Sequence, residues 1–177
     1  TRTGNGVVYS SAHMSEDEAT ATLLRGLDTP AMADPRTITF RTGRRKRMWN
    51  HNVVALGLAA GFMEPLESTS IHLVMTGVTR LMQAFPFGGI APAAVTRFNE
   101  QAQAELERVR DFIILHYHLN ERPEAFWAAR RDMPIPDTLV ERIALFAEAA
   151  QAYQGGEDLF RVASWVQVML GQRLMPR

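Results

Sequence analysis

The clearest pattern in the chain is a change of hydrophobic period within residues 52–85. Residues 53–56 form a short apolar run that predicts a buried strand, which ends at Gly57. After a loop, apolar side chains recur every three or four positions, which predicts an amphipathic helix capped by one of residues 68–70. The start of such a helix presents unpaired N–H groups and a partial positive charge that suit an anion, and Glu67 lies beside it. The apolar helix positions are Ile71, Val74, Met75, Val78, Leu81, Met82 and Phe85.

The residues before this stretch predict one helix and two strands. Ser15 and Glu18 have the spacing of a capping box, so we expect a helix from Ser15 to about Gly26. Residues 7–9 are apolar and β-branched or aromatic, which predicts a strand. Residues 36–43 alternate between apolar and polar side chains, which predicts a second, half-buried strand.

The residues after position 85 predict a helical region. Its longest helix has a continuous apolar stripe, with Glu105, Glu107, Arg108 and Arg110 on the side expected to face water. The predicted elements are a long helix at 93–120, a short helical piece that begins at 125–127, a helix at 138–153 and a buried helix at 159–170.

Composition limits the class of protein. The chain has 177 residues, which suits one domain or part of a larger one. Its 19 basic and 19 acidic residues cancel, so the net charge indicates neither a nucleic-acid partner nor an anionic membrane surface. There is no cysteine, no apolar run long enough to span a membrane and no visible signal peptide, so we expect a cytoplasmic protein.

Several residues offer candidate chemistry, each with a simpler alternative. Glu64 and Glu67 form an acid pair, but residue type alone favours a role in offsetting the helix dipole. The cationic run at 44–47 suits either phosphate or a solvated strand end. His116 and His118 resemble a metal pair, yet on a helix they would point about 200° apart, which disfavours a shared ion.

Four blocks of the chain resemble, in the same order, segments of the flavin-dependent tryptophan halogenases. The resemblance covers most of the chain up to about Leu139. It implies an α+β, mostly helical chain that forms the C-terminal part of a flavin-monooxygenase-like FAD-binding fold. Residues 1–85 would complete the FAD-binding domain with its halide and flavin loop, and residues 86–177 would form a helical substrate-side module. The four blocks are RTGNGVVYSS at 2–11, FRTGRR at 40–45, GFMEPLESTSIH at 61–72 and RDFIILHY at 110–117.

The resemblance also implies roles for individual residues. Glu67 falls on the catalytic glutamate of the family. Thr69 and Ser70 match the two residues whose backbone amides hold the halide, although the family often has glycine at the position of Ser70. The positions matched to flavin contacts are Gly57, Leu58, Ala59 and Ile71, and those offered for stacking on a substrate ring are Phe160 and Trp165, with Phe126 and Trp127 as alternatives.

The implied activity is halogenation of an electron-rich aromatic. The family uses reduced FAD, O2 and chloride or bromide, and a separate flavin reductase supplies the reduced cofactor. The tyrosine pair of members that act on free tryptophan is not present, so we expect an indole-like substrate without committing to tryptophan. The alternatives are a flavin-dependent aromatic hydroxylase of the same fold and a non-catalytic helical interaction module.

Two family features are not found in this sequence. The chain has no Gly-x-Gly-x-x-Gly dinucleotide-binding turn, and its only lysine, Lys46, lies in the cationic run rather than at a position that suggests the catalytic lysine. We therefore expect the chain to be part of a larger enzyme, to be inactive alone and to bind flavin weakly.

Overall fold

The structure is a computed structural model that describes residues 3–64, 66–156 and 158–177. It divides into two compact units, Thr1–Phe40 and Arg41–Arg177. About half of the described chain is helical, and its strands are two residues long. The predicted mostly helical class is therefore confirmed, whereas the division at residue 85 stays a prediction about function. Within the described residues, no helix has the length and apolarity needed to cross a membrane.

The first unit contains a single helix among its described residues. Helix α1 (Glu16–Arg25) begins with the predicted capping box, in which the Ser15 hydroxyl accepts from the backbone N–H of Glu18 and the Glu18 carboxylate accepts from that of Ser15. The strands predicted at 7–9 and 36–43 are wrong, because the structure has no strand there apart from the last residue, Gly43. Alternation alone does not form a strand, since each strand needs a hydrogen-bonded neighbour.

The second unit begins with two small antiparallel pairs. Strand β1 (Gly43–Arg44) pairs with β4 (Gly61–Phe62), and β2 (Trp49–Asn50) pairs with β3 (Val53–Val54). The buried strand predicted at 53–56 is therefore shorter than expected, and its Val53 is 63% exposed. Successive side chains of a strand point to opposite faces of the sheet, so Val53 faces water whereas Val54 is half-buried.

Helices make up the rest of the second unit. The predicted helices are confirmed, with two adjusted boundaries. One helix ends before Tyr153 because Ala150 adopts a left-handed conformation with φ of 54°, and the last helix begins after Leu159. The helices are α2 (Ser70–Gln83), α3 (Pro92–His118), α4 (Ala125–Arg131), α5 (Asp137–Ala149) and α6 (Val162–Gly171).

Helix α3 joins two hydrophobic cores. Its first half packs Phe98, Ala102 and Leu106 against Trp49 of the β2–β3 hairpin and against Met48, which precedes that hairpin. Its second half packs against α5 and α6 in a second core. The buried members of the second core are Phe112, Leu115, Leu139, Phe146, Trp165 and Met169. The 27-residue helix α3 therefore packs against both the β2–β3 hairpin and the C-terminal helices.

Polar side chains of α3 hold the elements around it. The Asn99 side-chain oxygen accepts from the backbone N–H of Met48 and of Trp49 at 2.7 and 2.9 Å, and its amide donates to the Trp49 carbonyl at 2.9 Å. Arg80 of α2 forms an ion pair with Glu105 at 2.9 Å. The solvated position expected for Glu105 is wrong, because α2 packs on that side of α3 and leaves Glu105 only 7% exposed.

One face of α2 remains uncovered. Leu73, Leu81 and Ala84 pack against the first core. The opposite face exposes apolar side chains that the sequence pattern would place in a core, including Ile71, which is 76% exposed. An exposed apolar face of this kind marks an interaction surface. We call this face the α2 stripe, and it consists of Ile71, Val74, Met75, Val78, Met82 and Phe85.

The three hydrogen bonds of Asn99 to the backbone of Met48 and Trp49 generate a stability prediction. Asn99→Ala leaves three backbone groups of the hairpin without their partner, and we expect it to lower the free energy of unfolding by roughly 1–3 kcal/mol. Asn99→Asp keeps the acceptor and loses the donor, so its effect should be intermediate. Urea denaturation measures both, with the exposed neighbour Glu100→Ala as control. Equal stability of Asn99→Ala and the control would contradict a stabilising role for these hydrogen bonds.

Candidate functional site

The candidate site is built on the loop between β3 and α2, which begins with a close backbone contact. The chain turns through a short 3-10 segment, Gly57–Ala59, that lies against α2. Gly57 has φ of 54°, and a Cβ atom there would lie 2.4 Å from a methyl carbon of Val74. Since Val74 is β-branched and stiff, no larger residue fits without moving the helix. Glycine at this position therefore sets the distance between the loop and α2.

Arginines of the cationic run hold this loop. Arg45 donates from its backbone N–H to the Ala60 carbonyl at 2.8 Å and from its Nε to the Ala59 carbonyl at 2.6 Å. Arg44 forms an ion pair with Glu107 at 2.7 Å. Both guanidinium groups are thus bonded to the protein, Arg45 to the loop itself and Arg44 to helix α3.

The residues matched to flavin contacts lie at one exposed surface. Leu58, Ala59 and Ile71 are exposed, and Gly57 contacts the same region of α2 through Val74. Ile71 and Val74 are also the first members of the α2 stripe. Of these four sequence-predicted residues, Gly57 therefore contacts the N-terminal part of the stripe and Ile71 belongs to it.

The start of α2 has the features of an anion site. Thr69 is the N-cap residue, and its side chain makes no capping hydrogen bond. Within the described part of the chain, no hydrogen-bond partner is found for the backbone N–H of Thr69 or of Ser70. Ser68 has φ of 40°, a left-handed conformation that costs energy for a residue other than glycine. The strained turn directs the chain from Glu67 into the helix.

The Glu67 side chain faces a histidine of α3. Its Oε1 lies 3.3 Å from Nε2 of His116, and the two side chains are 34% and 21% exposed. Nδ1 of His116 lies 2.8 Å from the Phe112 carbonyl oxygen, one helical turn earlier. The carboxylate is therefore partly withdrawn from water and has a specific partner.

Glu67 also lines a cavity of about 270 Å³ between α3 and α6. Phe112 and Phe160 form a stacked pair in its wall, with ring centroids 3.8 Å apart and an interplanar angle of 22°. Ser164, Gln167 and Val168 of α6 complete the lining. This volume lies just below the roughly 300–1,000 Å³ of typical small-molecule sites.

Trp165 lies outside this cavity. It is 2% exposed and belongs to the second core, edge-on to Phe112 at 4.8 Å and 4.0 Å from the Arg142 guanidinium. Positions 164, 167 and 168 share one face of α6, whereas Trp165 and Met169 share the face turned to the core. Of the two residues offered for stacking, the structure places Phe160 at the cavity and Trp165 in the core.

The second acid of the loop, Glu64, has a different environment. It accepts a hydrogen bond from the Tyr117 hydroxyl, and Tyr117 in turn stacks on Trp127 with centroids 5.5 Å apart. Burial raises the pKa of the Glu64 carboxyl above its usual range. Neither Glu64, Phe126 nor Trp127 lines the Glu67 cavity.

Sequence reasoning missed His116 as the partner of Glu67. The signal for it was the family-like block 110–117, which contains both His116 and Phe112 one turn apart. Ser164 and Gln167 also line the cavity, and no sequence pattern indicates the direction of their side chains. In the described residues, no group of three or more His, Asp or Glu is placed to hold a metal ion.

Comparisons with known proteins point to one family. The family model described as tryptophan halogenase matches residues 1–177. Among solved structures, Xcc4156, a flavin-dependent halogenase from Xanthomonas campestris, is 44% identical with a TM-score of 0.91, over 96% of this chain and 34% of that one. BrvH, a flavin-dependent halogenase from Brevundimonas sp. BAL3, is 47% identical with a TM-score of 0.88, over 95% and 34%.

A curated relative gives the same result. The tryptophan 7-halogenase RebH of Lentzea aerocolonigenes is 33% identical over 99% of this chain and 36% of its own length. The chain therefore spans about a third of the proteins that it matches.

The raised pKa of Glu64 generates a pH-dependent prediction. Ionisation of Glu64 costs more in the folded than in the unfolded state, so its destabilising effect is absent well below pH 4.5 and grows as pH rises through the folded pKa. Glu64→Gln keeps an acceptor for Tyr117 and removes this cost. We expect its urea midpoint to exceed that of the wild type at pH 7 more than at pH 4. The exposed Glu100→Gln is the control, and a difference independent of pH would contradict the burial effect.

Proposed function

The chain belongs to the tryptophan halogenase family, and from that premise we propose that it supplies the halide loop, the catalytic carboxylate and the substrate-side wall of a flavin-dependent halogenase. The enzyme would use reduced FAD, O2 and chloride or bromide to halogenate an electron-rich, indole-like aromatic. The single observation that supports this most strongly is the position of Glu67, between the start of α2 and an aromatic-walled cavity.

Thr69 and Ser70 are the proposed halide ligands, through their backbone amides. The support is the start of α2, where these amides lack described partners and the helix dipole favours negative charge. A backbone amide donates whatever side chain it carries, so serine in place of the glycine common in the family leaves the donor intact.

Glu67 is the proposed catalytic residue. Forming a carbon–halogen bond on an aromatic ring releases a proton from the same carbon, and a carboxylate at the cavity wall can accept it or can polarise the incoming electrophile. Either role needs the carboxylate at a fixed position beside the ring.

The exposed surface around Gly57, Leu58, Ala59 and Ile71 is the proposed flavin contact. It fits a flavin because it combines exposed loop backbone with apolar side chains, and bound reduced flavin would supply the electrons that O2 takes up during halide oxidation. The α2 stripe continues from this surface, so we propose that the flavin-binding part of the enzyme packs there. On this view residues 1–85 complete the FAD-binding domain and residues 86–177 form the substrate side, with a flavin reductase as partner.

The cavity indicates the class of substrate. The Phe112–Phe160 stack offers an aromatic face on which a third ring can stack, and Ser164 and Gln167 offer hydrogen-bonding groups beside it. An indole has both a flat ring and one N–H donor, which matches these two features.

Halogenation by a hybrid enzyme tests the catalytic role. The hybrid is Xcc4156 with its matching third replaced by this chain, loaded with FAD and assayed with a flavin reductase, bromide and indole. Because Glu67 acts on the reacting centre, Glu67→Gln should lower kcat for brominated product by about 10²–10⁴-fold. Glu64→Gln is the matched control and should retain most activity, since Glu64 does not line the cavity.

Two results would favour the alternatives. Hydroxylated product that forms without halide and survives Glu67→Gln indicates a flavin-dependent hydroxylase. A folded, flavin-loaded hybrid that modifies no aromatic compound, with the parent enzyme active in parallel, indicates an interaction module.

Bromide binding tests the loop in this chain alone. Crystals soaked in bromide should show an anomalous peak within hydrogen-bond distance of the Thr69 and Ser70 amides, because two converging donors at a helix start attract an anion. Sulfate-soaked crystals measured at the same wavelength are the control. Bromide at other helix starts with none at α2 would refute the halide assignment.

A further inference from the structure

We propose that His116 is a positioning residue, which fixes the carboxylate of Glu67 at the cavity wall through its Nε2 atom. This inference rests on the proposed catalytic role of Glu67. It assigns to the α3 helix a direct part in the chemistry of a loop 49 positions earlier in the chain.

The imidazole ring is held from two sides. Its Nδ1 lies 2.8 Å from the Phe112 carbonyl oxygen, and its plane lies edge-on to the Phe112 ring at 4.9 Å and 86°. A carbonyl oxygen only accepts hydrogen bonds, so this contact directs the Nδ1 proton to Phe112 and turns Nε2 toward Glu67. The ring is therefore fixed near the C-terminal end of α3, the helix that also joins the two cores.

Glu67, in contrast, has little to fix it locally. It lies in a loop without regular structure, it precedes a residue with φ of 40°, and its side chain is one third exposed. A glutamate has three rotatable side-chain bonds, and ordering them costs conformational entropy. The Nε2 atom of His116, 3.3 Å from Oε1, is the contact that selects one orientation among them.

Nδ1 faces the Phe112 carbonyl oxygen and Nε2 faces Oε1 of Glu67. A hydrogen bond between His116 and Glu67 therefore needs a proton on either Nε2 or Oε1. The ring N–H that donates to Glu67 is available when the imidazole is doubly protonated, and a carboxylic acid proton serves when the ring is neutral. In both cases the carboxyl group keeps the same direction toward the cavity. Positioning is thus compatible with a carboxyl group that accepts and releases a proton.

A variant series in the hybrid enzyme separates positioning from packing. His116→Leu fills a similar volume without a polar atom, whereas His116→Gln can still donate to Glu67. We expect His116→Leu to lower kcat for brominated indole by about 10–100-fold, as loss of the hydrogen-bond partner of a metal ligand does in metalloenzymes. KM for indole should be unchanged. His116→Gln should recover most of this loss, and His118→Gln, on the same helix, should behave as the wild type.

A double-mutant cycle tests whether His116 affects kcat through Glu67. If His116 acts through Glu67, His116→Leu should lower kcat no further in a Glu67→Gln background. An additive loss, or a His116→Leu variant with wild-type kcat, would overturn the proposal. Equal losses in the Leu and Gln variants would also overturn it, because a packing role predicts no rescue by a hydrogen-bond donor.

A measurement on the 177-residue chain keeps this test separate from the proposed function. Three-bond NMR couplings report the side-chain rotamers of Glu67, and we expect one dominant rotamer in the wild type and in His116→Gln but averaged rotamers in His116→Leu. Averaged couplings in the wild type would refute positioning even if the hybrid halogenates. A single rotamer that depends on His116, in a hybrid that makes no halogenated product, would refute the proposed function and leave the positioning contact in place.

Discussion

The site depends on one constraint, which is that α3 supplies a side-chain contact to each element around a loop that itself has almost no regular structure. Strands of two residues cannot fix a loop by backbone pairing alone, because so few hydrogen bonds do not offset the ordering entropy. Asn99, Glu105 and His116 of α3 instead contact the hairpin, α2 and Glu67 in turn. The geometry of the loop therefore depends on the position of α3, which is packed in two cores, together with the hydrogen bonds of Arg45.

This arrangement has an electrostatic consequence. The two acids of the loop lie close in sequence, yet α3 gives each a different neighbour, a phenol for Glu64 and an imidazole for Glu67. Burial raises the pKa of the Glu64 carboxyl above its usual range. Glu67 keeps partial contact with water and lines the cavity, and for this reason the catalytic role is proposed for Glu67 and not for Glu64.

The α2 helix shows how a helix can have two apolar faces in an otherwise ordinary chain. One face buries Leu73, Leu81 and Ala84 in the first core, and the other remains exposed as the α2 stripe. The α2 stripe is the surface on which we propose that the flavin-binding part of the enzyme packs. Ile71 of this stripe is also one of the proposed flavin contacts, so the proposed cofactor site and the proposed packing surface adjoin.

What the sequence by itself determined was mainly local. The capping box at Ser15, the helical periods and the family-like blocks predicted the helices and the residues of the loop, because capping and periodicity depend on neighbours a few positions apart. Side-chain direction depended on tertiary contacts. Whether Glu105 faces water, whether Trp165 or Ser164 faces the cavity, and which residue meets Glu67 were decided by how α2, α3 and α6 pack, over separations that no local pattern encodes.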